Sequence, residues 1–179
     1  LHILLPLSLL LARVSGMVAT LPVLSYPAVP ITVRVGLALT ITLFVAMHVP
    51  APAVPDHILP AALMIVQEAL IGLALGLMVA LGFQAVRQAG AIAGQQMGLT
   101  TAQIIDPTSG EEGDPIGAFF DTAFILLFLI AGGHHLLIGL IARSYDILPL
   151  DRAPDIAMLL EGVLAAGSAM LLFALKLSA

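Results

Sequence analysis

Apolar residues run almost unbroken along this chain, and the placement of proline, glycine and charge is what divides them into elements. Leu1–Ser25 reads as one helix kinked by Pro6 and Pro22, followed by a turn in which Pro27 and Pro30 punctuate the stretch YPAVP. Val33–Met47 is a second apolar run, short of the roughly 20 residues that a full bilayer span needs. Pro50, Pro52 and Pro55 end it. Ile58–Phe83 is long enough to cross, carries Gly72 and Gly76 four apart, and places Glu68 in its middle. Ile116–Ala142 is a fourth run and contains Asp121, His134 and His135. The stretch RSYDILPLDRAPD, Arg143 to Asp155, reads as a polar turn, and Ile156–Ala179 as a closing helix with Glu161 near its start. The fold expected is an all-α membrane protein of about five hydrophobic helical segments with kinks.

One passage, Gln84 to Asp121, breaks this hydrocarbon pattern. Advanced at about 100° per residue, its first part sets Gln84, Gln88 and Gln95 on one face and Gly90, Gly94 and Gly98 on another. Small residues four apart let two helix backbones approach in a medium where lipid supplies no hydrophobic drive between helices. Gly72 with Gly76, and the glycines from Gly90 to Gly98, are therefore the expected packing seams, while the glutamines want water or a polar partner. After Gly98 the sequence TTAQIIDPTSGEEGDP cannot hold a helix, because two Asp-Pro pairs, Gly110 and Gly113 interrupt it. Asp114 can cap a new helix with Pro115 at its first position. Irregular backbone at membrane depth is tolerated only inside protein or along a wet cavity, which makes this loop the functional suspect. Its plain alternative is a solvated connector.

Composition narrows the classes. Of 179 residues 60% are hydrophobic and 9% charged, and the mean hydropathy of +1.13 excludes an ordinary soluble core. Six basic against eleven acidic residues leave no footprint for nucleic acid. The absence of cysteine removes thiolate metal sites and cysteine nucleophiles. His134 and His135 are adjacent, not four apart as metal pairs on helices are. Glu111 and Gly117 fall where a calcium loop starting at Asp106 would need glycine and glutamate. No nucleophile elbow or phosphate loop is present, so no catalytic, metal or cofactor-binding residue is assigned. The opening run, with Arg13 inside it and no basic region before it, resembles a retained membrane segment more than a cleavable signal.

Among the charges set within apolar runs, Arg13, Glu68 and Asp121 are the ones expected to be buried. Each is costly in lipid and needs a partner, water or, for the acids, a proton. For Arg13 a structural role is favoured; Glu68 stands open between structural pairing and function, with Arg13 and Arg87 as possible partners for the buried acids. Lysine and arginine are spread over both sides of the segments, so they give no orientation.

The segment RQAGAIAGQQMGLTTAQIIDP, Arg87 to Pro107, resembles the FliR/SctT family of type III export-apparatus proteins. LLLARVSGMVATLPVLSYPAVPITVRVGLALTITL, QEALIGLALG and LLFLIAGGHHLLIGLIARSYDILPL agree with that family in the same order, so the resemblance covers essentially the whole chain. GQQMG and Ile105-Asp106-Pro107 favour its flagellar branch over the injectisome one. The resemblance implies a single membrane domain over residues 1–179, lacking the C-terminal part of the family's last helical hairpin. It implies a subunit of the flagellar export gate in the bacterial inner membrane, at the base of the flagellum. There it would be packed in a hetero-oligomeric helical assembly with FliP-like and FliQ-like subunits and an FlhB-like subunit, passing unfolded flagellar proteins. In that family the loop matching residues 99–115 helps plug the passage. This assigns a plug role to Thr100, Thr101, Gln103, Asp106, Pro107, Gly110, Glu111, Glu112, Gly113, Asp114 and Pro115. The competing class is a proton-coupled secondary transporter using Glu68, Asp121 or Glu161.

Overall fold

The computed structural model describes residues 4–25, 29–49, 57–98, 115–150 and 156–178, and among them every regular element is an α-helix. They are α1 (Leu4–Thr20), α2 (Pro22–Ser25), α3 (Ile31–Ala46), α4 (Ile58–Gln96), α5 (Pro115–Ile130), α6 (Gly133–Ile147) and α7 (Ile156–Ser178). The chain is an all-α membrane protein. By length and apolar composition α4 could cross a bilayer unaided.

Several boundaries differ from the expected ones, each for a local reason. Pro6 lies in the first turn of α1, where a missing N–H has no carbonyl to lose, so it does not kink the helix. The break comes at Leu21, and Pro22 opens the short α2. Pro30 sits at the N-cap of α3 with extended backbone, φ −58° and ψ 145°, and the helix starts directly after it, two residues earlier than expected. The expected third span and the glutamine-bearing stretch are one helix of 39 residues, roughly 58 Å long. Nothing in it interrupts the hydrogen-bond ladder until Gly98, whose φ of 73° takes the left-handed conformation that ends the helix. Gly132, with φ 77°, divides the expected fourth run into α5 and α6 in the same way. The expected turn from Arg143 to Asp155 begins late, because α6 continues to Ile147. Ile141, Ser144 and Tyr145 form a buried stripe at helical spacing that the polar letters conceal.

Two compact units can be described separately. The first comprises residues 1–80 and 134–163. Its core is centred on α1, through Leu9, Leu10, Val14, Met17, Val18 and Leu21, with Ala38 and Val45 of α3 and Ile141 and Tyr145 of α6 packed around it. Between α1 and α4 the backbones touch. A Cβ added at Gly16 would lie 2.5 Å from the Ala69 carbonyl oxygen and 3.0 Å from Leu73 N. One at Gly72 would strike the Arg13 carbonyl, and one at Gly76 the Thr20 hydroxyl and, at 2.7 Å, the Met17 carbonyl. Gly16 and Thr20 on α1 thus face Gly72 and Gly76 on α4, small residues four apart against small residues four apart.

The second unit comprises residues 81–133 and 164–179. Here Gly90 admits α5, since a Cβ on it would meet Gly117 Cα and the Phe120 Cβ and Cγ at 3.0 Å. Phe83, buried, sets its ring edge-on to Phe124 and Phe128 with centroids 4.9 and 5.2 Å away.

These contacts generate a contrast between glycines. Gly72→Leu is expected to destabilise the detergent-solubilised chain by about 1 to 3 kcal/mol or more, because the backbone of α1 occupies the needed space. Gly36→Ala, at a site with nothing within 4 Å, is expected to be neutral or slightly stabilising. Thermal unfolding of the two variants decides it; equal melting temperatures would remove the seam as a determinant of the fold.

Candidate functional site

The first unit is built around a charge. Arg13 is 1% exposed, and its guanidinium has five N–H donors that lipid cannot satisfy. Glu68, itself 4% exposed, takes two of them: Nε donates to Oε2 at 2.6 Å and Nη2 to Oε1 at 3.1 Å. This fork-to-fork pairing is the strongest geometry open to the two groups. Nη1 donates to Ser144 Oγ at 3.2 Å, and Nη2 also donates to the Leu148 carbonyl at 2.9 Å. Ser144 Oγ in turn donates to the Ile141 carbonyl at 2.7 Å. The guanidinium carbon lies 4.2 Å from the centroid of the Tyr145 ring, a cation–π contact, and the Tyr145 hydroxyl donates to the Leu10 carbonyl at 3.4 Å. One cation therefore ties α1 to α4, to α6 and to the backbone just past the end of α6.

Local sequence explains why these groups meet. Glu68 and Gly72 are one turn apart on α4, so the face that offers the carboxylate also offers the notch into which the Arg13 backbone fits. On α6, Ser144 and Tyr145 sit three and four residues after Ile141 and share its buried side. Both carboxylate oxygens of Glu68 are engaged by arginine, which leaves the group suited to holding helices together and poorly placed to pass protons.

The other expected residues are distributed more widely. Gln84, Gln88 and Gln95 are all exposed, on the face of α4 that carries Val66, Leu70, Leu73 and Leu77 further toward its N-terminus. That face changes from hydrocarbon to amide along a single helix. Gly90 and Gly94 are buried, whereas Gly98 lies beyond the helix and is exposed. Asp121 is on α5, in the second unit, and half-buried. Thr100, Thr101, Gln103, Asp106, Pro107, Gly110, Glu111, Glu112, Gly113 and Asp114 lie outside the described residues, and Pro115 is the first residue of α5. No grouping of three or more histidine or acidic side chains able to hold a metal occurs among the described residues.

Sequence reasoning missed Ser144, Tyr145 and the Leu148 carbonyl, because they stand in a stretch whose polar letters suggested a turn. It also missed Gly16, although the spacing of Gly16 and Thr20 in RVSGMVAT was a usable signal.

A family model for bacterial export proteins, family 1, matches residues 4–179. The chain belongs to that family. Within the bacterial export proteins it is 38% identical over 168 residues to the flagellar biosynthetic protein FliR of Escherichia coli strain K12. It is 35% identical over 166 residues to FliR of Pectobacterium carotovorum. These alignments take in 94% and 93% of the chain, which spans 64% of the length of each relative. The surface presentation of antigens protein SpaR of Shigella flexneri is 32% identical over 84 residues, 47% of this chain and 33% of SpaR.

The fork geometry makes Arg13 hard to replace by another cation. Arg13→Lys keeps the charge but loses the paired donors to Glu68 and the flat contact with Tyr145. It is expected to cost about 2 kcal/mol, and Ser144→Ala about 1 kcal/mol, in thermal unfolding of the solubilised chain. A lysine variant as stable as the parent would show that charge alone, without the fork, suffices.

Proposed function

We propose that this chain is a structural and gating subunit of the flagellar type III protein export gate of the bacterial inner membrane, letting unfolded flagellar proteins pass. The observation that carries the reading is the 35% and 38% identity to two flagellar FliR proteins over nearly the whole chain. The shorter match to SpaR supports the injectisome alternative less well. Its partners in this reading are FliP-like and FliQ-like membrane subunits and an FlhB-like subunit, with lipid around the assembly.

The physical features fit a part that is assembled and gated, with no chemistry to perform. Large apolar side chains on α3, among them Ile31, Val33, Leu43 and Phe44, are exposed, yet the helix has only 16 residues. At about 24 Å it is shorter than the hydrocarbon core, so neighbouring protein is a better cover for it than lipid. In this reading Gln84, Gln88 and Gln95 face the wet side of the assembly, and residues 99–115 contribute the plug. The secondary-transporter reading loses its best candidate, because Glu68 is already bound on both oxygens.

Two measurements test the proposal. Tagged chain expressed with the FliP-like and FliQ-like subunits of the same genome is expected to copurify with both in mild detergent; its recovery alone would overturn the assignment. Deleting Thr108 to Gly113, a stretch without a large apolar side chain, is expected to leave that copurification intact while raising the dye permeability of membranes carrying the complete gate. Unchanged permeability in an assembled complex would make the loop a connector.

A further inference from the structure

Asp121 is the one charged residue of α5 and the seventh of its 16 residues, about 9 Å from the nearer helix end. It is half-buried, yet no hydrogen bond or ion pair joins it to another described residue. The hydroxyl of the neighbouring Thr122 donates to the Ala118 carbonyl at 2.9 Å. Arg87 and Lys176, the other charged residues described in the second unit, are exposed and do not pair with it. The first unit thus answers Glu68 from within, whereas the second leaves its carboxylate open. Held among hydrocarbon without a partner, that group stabilises nothing in the chain by itself and costs desolvation.

Gly117 and the rings of Phe120, Phe124 and Phe128 turn toward α4, where they meet Gly90 and Phe83. Phe119, Leu126, Leu127 and Ile130 are exposed. At about 100° per residue Asp121 falls on the border between these faces, beside Ala118, Thr122 and Ile125. An apolar surface with one open carboxylate in it has a definite complement: aliphatic side chains around a single cation. We propose that Asp121 fastens α5 to a helix of a neighbouring subunit, which lays small and aliphatic side chains on this border and sets a lysine or arginine against the carboxylate. The inference rests on the export-gate reading for the existence of that neighbour. Apolar contacts alone would let two helices slide past each other, and a desolvated ion pair fixes one register. Lipid is the poorer cover, since a carboxylate turned to hydrocarbon is costly.

The full chain is expressed with the FliP-like and FliQ-like subunits of the same genome and purified through a tag on this chain. Asp121→Asn is expected to lower recovery of the partner subunits by about tenfold or more, and Asp121→Lys to abolish it. Thermal unfolding of the Asp121→Asn chain purified alone should stay at the parent value, because no internal bond is lost. Arg87→Gln should leave both readings unchanged. In the parent complex, a photoreactive diazirine residue at Thr122 should crosslink to a partner segment with a lysine or arginine within one helical turn of the attachment point. Replacing that cation by glutamate should restore recovery with the Asp121→Lys chain. Equal recovery with Asp121→Asn, a crosslink to lipid alone or to a segment without a cation, or failure of the exchanged charges to restore recovery would overturn the proposal. So would a lowered melting temperature of the Asp121→Asn chain matched by Arg87→Gln, since the carboxylate would then serve a pair within the chain. Recovery of the parent without either subunit would remove the export-gate reading and the neighbour with it; the other outcomes leave that reading standing.

Discussion

A guanidinium buried beyond the reach of water must have its charge and its donors answered by protein, and in this chain that requirement falls on Arg13. The answer comes from elements far apart in sequence: a carboxylate on α4, a hydroxyl and an aromatic face on α6, and a carbonyl just past the end of α6. A buried pair of this kind adds little net stability compared with a well-packed apolar pair, but breaking one side of it costs about 3 to 5 kcal/mol. Its effect is to make one arrangement of α1, α4 and α6 acceptable and the alternatives costly.

The glycine seam and the ion pair depend on each other. Glu68 reaches Arg13 with short bonds because the α4 backbone lies directly against α1, and that approach is open only where Gly16, Gly72 and Gly76 carry no side chain. Conversely, the seam alone would allow the two helices to slide by a turn, since small residues repeat every four positions. The fork between Arg13 and Glu68 selects the register. The second unit works differently, with Gly90 admitting the start of α5 and Phe83 bracketed edge-on by Phe124 and Phe128, so that packing shape takes the place of charge.

Under the export-gate function proposed above, this division of labour has a functional sense. A subunit that must hold its shape beside a passage benefits from charges satisfied internally, since an unsatisfied one would seek water or the passing polypeptide. The exposed amides of Gln84, Gln88 and Gln95 are neutral, offer both donors and acceptors, and bind no partner permanently by charge. Such a surface suits contact with water or with varied chains better than a charged one would.

Much of this was legible before any coordinates. Long apolar runs, the prolines and glycines between them, and the four-residue spacing of Gly72 and Gly76 specified an all-α membrane protein with close helix contacts, because helix periodicity and backbone restrictions are local properties of the chain. The motifs from Arg87 to Pro107 pointed to the family for a different reason, by resemblance and not by a local physical rule. What local rules could not decide was continuity and pairing. Whether α4 runs on through Gln84, whether Gly132 breaks the fourth run, and how far α6 extends into RSYDI all depend on which faces find neighbours. Glu68 could be read as a charge in need of a partner, with two arginines as candidates. Choosing Arg13, and adding Ser144, Tyr145 and the Leu148 carbonyl to it, required the fold itself, because contacts across 55 to 135 residues leave no periodic trace in the sequence.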